Sequence, residues 1–235
     1  MYICKKKKMD SEDCISCRST TNCFGSLSDE ELRIIDKSKV AVNFKKGETI
    51  AKQGSFASGL VYVKEGMVKL YKEGKNGNNL ILNIFGNDEL VGISSLYGDN
   101  VFHYSIVAIE KSKIYLIELS VIKELIQSNA KFATAVLQRS NRNTLRAYNQ
   151  MYILTHKQLN GRMAAALIFL SKEVYLSTKF KLTLSRKDLA DFTGMSTMGA
   201  IRVLNSFKLD NIISDNKGVL EILDFKALLV IAKVG

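Results

Sequence analysis

The chain contains no proline and only two histidines, and its four cysteines are confined to the first 23 of 235 residues. Without proline, glycine and asparagine must make the turns. His103 and His156 stand far apart and offer no obvious catalytic dyad, and no G-x-x-x-x-G-K-[ST] phosphate loop occurs. No enzyme reading competes well on these residues. No apolar run approaches the roughly 20 residues needed to cross a bilayer. Lys5 to Lys8 are followed by no apolar stretch of a secretory signal, so they read as a solvated tail. The expectation is a cytoplasmic protein with no membrane partner.

What is present is a globular composition, 46% hydrophobic and 24% charged, with a net charge of +11. The charge is unevenly placed. Residues 1–40 and 41–128 each carry an excess of +1, residues 129–155 carry +4 and residues 156–235 carry +5. A basic C-terminal portion on a near-neutral body implies a polyanion partner for one end only.

From Val42 to Glu118, β-rich runs such as Leu60–Val63, Val68–Tyr71 and Leu80–Leu82 are punctuated by Gly47, Gly54, Gly66, Gly86 and Gly92. Short strands with frequent turn signals predict a sandwich or barrel-like roll. After Ser120 the period changes, and Asn129 to His156 lacks glycine and favours helix. At 100° per residue, Leu137, Asn141, Thr144, Tyr148, Met151 and Thr155 share one face, while Arg139, Arg142 and Arg146 share the opposite one. That is a heptad seam with a solvated basic back, which predicts a two-helix homodimer; a helix packed on its own domain is the alternative. Gly161 is expected to break this helix from a second apolar one, Met163 to Leu170.

Leu182 to Phe207 carries the sharpest signal. Ser185 is an N-cap candidate with Asp188 three residues on, Gly194 makes a turn, and Ser196 can cap a second helix. In that second helix Ala200, Val203, Leu204 and Phe207 cluster on one face, and Met198, Arg202 and Asn205 lie about 180° away. A recognition helix needs this division between an anchoring face and a reading face. Ile212–Ile213 and Val219–Ile222, joined through Asn216 to Gly218, read as a hairpin. A hairpin there is the wing of a winged helix. The alternative is a helical hairpin with no DNA role.

Taken together these segments resemble the CRP/FNR superfamily of bacterial regulators over residues 14 to 235. The resemblance rests on Lys46-Gly47-Glu48, Gly54 and Leu60 to Lys69 in the roll, and on Leu184 to Ala190, Gly194-Met195-Ser196 and Arg202-Val203-Leu204 in the helices. It implies an α+β chain with a cyclic-nucleotide-binding-like β-roll, a long dimerisation helix and a winged helix-turn-helix. The expected divisions are a cysteine-containing segment at 1–25, the roll at 26–128, the dimer helix at 129–158 and the DNA-binding domain at 159–235. The expected DNA contacts are Ser185, Arg186, Lys187, Ser196, Thr197, Met198, Arg202 and Asn205, with the family's guanine-reading arginine carried onto Arg202. The resemblance implies an effector-gated homodimer on double-stranded operator DNA, with RNA polymerase a candidate further partner.

Two departures bear on function. Where the family usually has a cytosine-reading glutamate, this chain has Met198, which puts the usual core site in doubt. Cyclic-nucleotide-binding members carry Gly-Glu and then Arg-Ser, whereas this chain has Gly92-Ile93 and His103-Tyr104, which argues against cyclic AMP. The effector pocket is assigned to Ile93, His103, Tyr104 and Tyr148, with His103 a candidate haem ligand because some members bind haem.

The cysteines are spaced C-x9-C-x2-C-x5-C at Cys4, Cys14, Cys17 and Cys23. A structural disulfide is disfavoured in a cytoplasmic protein, so metal or redox chemistry is the functional reading. The last three match the iron–sulfur segment of the oxygen-sensing FNR branch, which takes its fourth thiolate from the roll, where this chain has Tyr115. Cys4 would have to serve instead, or an oxygen or nitrogen ligand. An iron–sulfur cluster, a structural zinc and an unmetallated segment all remain open. The rival functions are a small-molecule-binding roll with a degenerate DNA-binding domain, and a structural-zinc regulator with no redox sensing.

Overall fold

In the computed structural model, residues 23–235 are described, with Asn76 described by its backbone alone. Helix α1 (Asp29–Ser38) opens on a complete capping box between Ser28 and Glu31. Two antiparallel sheets follow, formed by β1 (Lys39–Phe44), β2 (Thr49–Ala51), β3 (Gly59–Glu65), β4 (Val68–Lys72), β5 (Leu80–Phe85), β6 (Glu89–Val91), β7 (Ser105–Ala108) and β8 (Ser112–Glu118). Their strand orders are β1-β8-β3-β6 and β2-β7-β4-β5. Val61, Val63, Val68, Leu70, Phe85, Ile106 and Ile114 meet between them. The turn from β3 to β4 depends on Gly66 at φ 95°, where a Cβ would lie 2.6 Å from the Lys111 carbonyl oxygen. Only glycine fits that left-handed approach.

The outer face of the first sheet presents Leu60, Tyr62, Tyr115 and Ile117. It is covered by α1, by α2 (Leu119–Ser128) and by Phe24 and Phe132. Asn129 then caps α3 (Ala130–His156), its side chain accepting from the Lys131 and Phe132 N–H groups. At 1.5 Å per residue these 27 residues span about 40 Å.

All six seam positions of α3 are exposed on the single chain. The opposite face departs from the expected solvated basic back. Arg139 is buried and ion-paired with Glu89 at the start of β6. Burial and the neighbouring Arg142 and Arg146 pull its pKa down to about 10. Arg146 pairs with Glu173 at 2.7 Å. Residues 129–155 hold no carboxylate, so these arginines find partners on other elements, and a helical wheel cannot show that.

Gly161 does not break the helix. The break falls at Lys157 and Gln158, both extended, and Gly161 lies inside α4 (Leu159–Phe169). A Cβ there would come 2.4 Å from the Gly235 carbonyl oxygen, so the glycine serves close packing against the chain's last helix. One π-helical turn, Leu170–Val174, follows α4.

The remaining elements are β9 (Lys179–Lys181), α5 (Arg186–Thr193), α6 (Thr197–Leu209), β10 (Ile213–Asn216), β11 (Val219–Ile222) and α7 (Phe225–Val234). The hairpin turns on Lys217 and Gly218, both at positive φ, while Asn216 belongs to the strand and pairs with Val219. Its strands are joined by β9 in the order β10-β11-β9, a third strand that the sequence pattern did not predict.

The two halves share packing. Met67, Ile81, Ile84 and Ile109 of the roll belong to the same apolar cluster as Leu189, Phe192 and Phe207. Lys69 Nζ lies 2.5 Å from Asp188 Oδ1, and Lys46 Nζ donates to the Thr183 carbonyl at 3.0 Å. Burial raises the Asp188 carboxyl, but the bonds from Lys69 and Ser185 outweigh it and hold it below the usual aspartate value. A depressed folded pKa contributes stability that is present above the unfolded value and is lost as pH falls through the folded one. Asp188→Ala removes both a capping partner and this pair, and should cost about 2 kcal/mol at pH 7. The gap from wild type should begin to narrow in melting curves taken below pH ~4 and shrink further as the pH falls through the depressed folded value. A constant gap down to acid pH would mean that the carboxylate charge is immaterial.

Candidate nucleic-acid interface and effector cavity

Local sequence places α5 and α6 firmly. Ser185 Oγ accepts from the Asp188 N–H at 3.0 Å and the Asp188 carboxylate accepts from the Ser185 N–H at 2.9 Å, so the capping box is complete. Gly194 ends α5 at φ 60°, a left-handed cap, and Ser196 Oγ accepts from the Gly199 N–H at 3.1 Å to start α6. Ala200, Val203, Leu204 and Phe207 are buried against the domain. Thr197, Met198, Arg202 and Asn205 are exposed, with Met198 at 75%. Among the described residues Arg202 has no ion-pair partner, so its guanidinium is presented to solvent.

The basic residues at the start of α5 are engaged within the chain. Arg186 pairs with Asp215 on β10, which also takes Lys208 at 3.5 Å. Some burial raises Asp215, but these two cations outweigh it and lower its pKa. Lys187 Nζ lies 3.0 Å from Asp191 and donates to the Gly77 carbonyl of the β4–β5 loop at 3.1 Å. Arg186 thus ties α5 to the wing, and Lys187 ties it to the roll.

Of the expected effector residues, the structure brings together two. Ile93 and Tyr104 line a cavity of about 260 Å³ between the roll and α3, along with Ser94, Asn143, Thr144 and Arg146. Tyr104 Oη is 2.9 Å from Ser94 Oγ, and burial pushes the phenol pKa up. Asn143 Oδ1 is buried without a hydrogen-bond partner among the described residues. His103 does not join them. Phe102 and Tyr104 are buried on either side of it, but the chain bends at His103 and Tyr104 just before β7, and His103 turns outward onto Asp99 at 3.0 Å. With its side chain 58% exposed beside the Asp99 carboxylate, His103 faces solvent, a poor setting for a haem ligand. Tyr148 lies two helical positions from Arg146, about 200° around α3, and points outward on the seam. Sequence reasoning missed Arg146, which is the single charged side chain among the described residues lining the cavity. The lack of a carboxylate in its own helix was the signal that it faced another element.

Cys4, Cys14 and Cys17 lie outside the described residues. Cys23 is buried beside Phe24, and burial pushes its thiol up to about 11 despite the opposing fields of Arg139 and Arg142. Tyr115, at the roll position where the family places a thiolate, is fully buried and stacked 6.0 Å from Tyr62. The described residues therefore supply one sulfur ligand and none from the roll. Among them no group of three or more His, Cys, Asp or Glu side chains could hold a metal. No helix among the described residues is long and apolar enough to cross a membrane.

Residues 41–129 match the family described as "Cyclic nucleotide-binding domain", and residues 161–231 match "Crp-like helix-turn-helix domain". Together the two matches span more than half of the chain. The "Transcriptional activator protein anr" of Pseudomonas aeruginosa is 24% identical over 97% of this chain and 96% of its own. The "Fumarate and nitrate reduction regulatory protein" of Vibrio cholerae is 24% identical over 94% of this chain and 90% of its own. Among solved structures, FixK2 from Bradyrhizobium japonicum superposes with a TM-score of 0.76 at 18% identity, covering 82% of this chain and 96% of that one.

Proposed function

Because this chain belongs to the CRP/FNR superfamily and is a DNA-binding transcription regulator rather than an enzyme, we propose that it acts as an effector-gated homodimer on a two-half-site operator. The observation that carries this reading is α6, anchored by Ala200, Val203, Leu204 and Phe207 and exposing Thr197, Met198, Arg202 and Asn205 beside a β-wing. Arg202 and Met198 read base edges, the arginine donating to a guanine and the methionine packing on a thymine methyl. Ser185, Arg186, Lys187 and Ser196 hold the backbone phosphates. Engaging them requires Lys187 to leave the Gly77 carbonyl, so DNA competes with the contact between α5 and the roll. The protein works in the cytoplasm, with RNA polymerase as a further partner.

The effector occupies the cavity lined by Ile93, Tyr104, Asn143 and Arg146 and shifts α3, which carries both the seam and one cavity wall. A cavity with no carboxylate to grip a ribose favours an effector other than a cyclic nucleotide. Filter binding to random and selected duplexes across a salt series tests the reading. It requires a steep salt slope together with a tight, sequence-selected site. A shallow slope with no selected site would instead favour a small-molecule-binding roll whose helix-turn-helix is degenerate, the reading that Met198 keeps open.

The cysteine segment supports a redox or oxygen signal, through its spacing and through the likeness to the Pseudomonas aeruginosa and Vibrio cholerae regulators. On this reading Cys4, Cys14, Cys17 and Cys23 hold an iron–sulfur cluster, with nitric oxide a further candidate signal. Such a cluster gives visible charge-transfer colour, whereas a filled-shell zinc gives none. Anaerobically purified protein should be brown and bleach in air, and Cys17→Ser should abolish the colour. Colourless protein with stoichiometric zinc makes the segment a structural clip. Colourless protein with no metal after reconstitution leaves the cysteines without a cofactor.

A further inference from the structure

A second cleft lies on the far side of Arg146 from the roll cavity. It measures about 350 Å³ and is walled by Ile153 of α3, Ala166 and Phe169 of α4, and Phe192 of α5. That is the size range of a small-molecule site. Its chemistry is divided: the walls named are apolar, while Arg146 Nη2 meets Glu173 Oε2 at 2.7 Å and two lysines also line the cleft, Lys157 donating to the Ala232 carbonyl and Lys172 lying 5.2 Å from the Phe225 ring. Both members of that pair are more than one-third exposed, a setting in which an ion pair holds weakly. Glu173 belongs to the π-helical turn, a local insertion that recurs at functional sites.

The cleft is also independent of the dimer seam. Arg146 and Ile153 lie about 160–180° around α3 from Leu137, so a partner helix on the seam leaves this face open. Its walls join the long helix to α4 and to α5, the first helix of the helix-turn-helix, where Gln150 Nε2 already donates to the Phe192 carbonyl at 2.8 Å. An occupant would touch both sides of the turn between α3 and α4.

We propose that this cleft binds a small monocarboxylate with an unbranched apolar body. The ligand's carboxylate takes the Arg146 guanidinium from Glu173, and its chain lies along Ile153, Phe169 and Phe192. An incoming carboxylate replaces one charge-assisted pair with another, and the burial of its chain tips the exchange in its favour. The site adds a second ligand to the regulatory reading, placed at the joint that positions α5 and α6.

The test is isothermal titration calorimetry of the full chain with octanoate, using octan-1-ol as the uncharged comparison. Octanoate should bind once per chain, about tenfold more tightly than octanol, because only it can hold the guanidinium. Arg146→Gln should remove most of that advantage, because Lys157 is held by the Ala232 carbonyl and Lys172 lies over the Phe225 ring. Glu173→Gln should tighten octanoate by about threefold, since it removes the weak internal competitor. Ala165→Phe should abolish binding, because Ala165 lines this cleft and not the roll cavity. Melting curves check that each variant is folded, and the opposite signs at Arg146 and Glu173 keep the test decisive should Ala165→Phe not fold. Equal binding of octanol, weaker binding by Glu173→Gln, or full affinity in folded Ala165→Phe would each overturn the site. The titration contains no DNA, so its failure and a failure of operator binding are separate results.

Discussion

Tyr148→Glu should convert the protein from dimer to monomer and abolish binding to a two-half-site operator. The residue sits on the seam of α3 and is 62% exposed on the single chain, on the same face as Leu137 at 69% and Met151 at 61%. A monomer gains nothing from presenting such side chains on one helix face, while burying each against a partner contributes roughly 1.5–3 kcal/mol. The opposite face is already committed to Glu89, Glu173 and the roll, which leaves the seam as the face of α3 that we propose a second copy covers. Two glutamates facing each other forfeit the aromatic burial twice and add like-charge repulsion of several kcal/mol. The dimer constant should weaken by at least about 100-fold, read by sedimentation across concentration. Single half-site binding should persist at a weak, non-cooperative level. Tyr148→Phe keeps the ring and should stay dimeric. A Tyr148→Glu protein that sediments as a dimer would place the interface elsewhere.

Which features the sequence revealed depended on how local their causes are. The two helices of the DNA-reading motif were legible because their caps are short-range: Ser185 with Asp188, Gly194 in the left-handed region and Ser196 on Gly199. The division of α6 into buried and exposed faces follows from 3.6-residue periodicity alone. Strands β3, β4 and β5 were legible for the same reason, from β-rich runs between glycines. The misses are contacts between distant segments. Arg139 and Arg146 looked solvated because their partners, Glu89 and Glu173, lie on other elements. Gly161 looked like a breaker because the close approach of Gly235 is invisible in a linear pattern. The strand β9 is three residues long, too short to carry a period. His103 was grouped with Tyr104 by adjacency, whereas the chain bends there, burying Tyr104 and exposing His103.

Arg202→Ala and Lys187→Ala should both weaken operator binding, but in ways that separate reading from holding. Arg202 is exposed on α6, on the side opposite the buried Val203 and Leu204, so its guanidinium projects away from its own domain. A guanidinium that forks onto a guanine is worth roughly 1–3 kcal/mol of discrimination against the wrong base. In a dimer each half-site carries one such pairing, so the loss should approach twice that on a symmetric operator. Specific affinity should therefore fall by roughly one and a half orders of magnitude at the low end of that range and about four at the high end, with preference relaxed at one base pair per half-site. Non-specific binding should drop far less, because one cation among several that neutralise phosphates is a small share of the counterion release. Lys187 differs. It already holds Asp191 and the Gly77 carbonyl, so its charge is partly committed before DNA arrives. Lys187→Ala should lower affinity for all sequences alike and reduce the salt slope by about one for each phosphate left without its lysine. Part of that weakening should be offset, because the alanine variant has no internal bond to the roll to break. Competition binding on selected and random duplexes at several salt concentrations reads both effects together. Equal weakening on the two duplexes for Arg202→Ala would remove it as a base reader, and an unchanged salt slope for Lys187→Ala would remove it from the phosphate track.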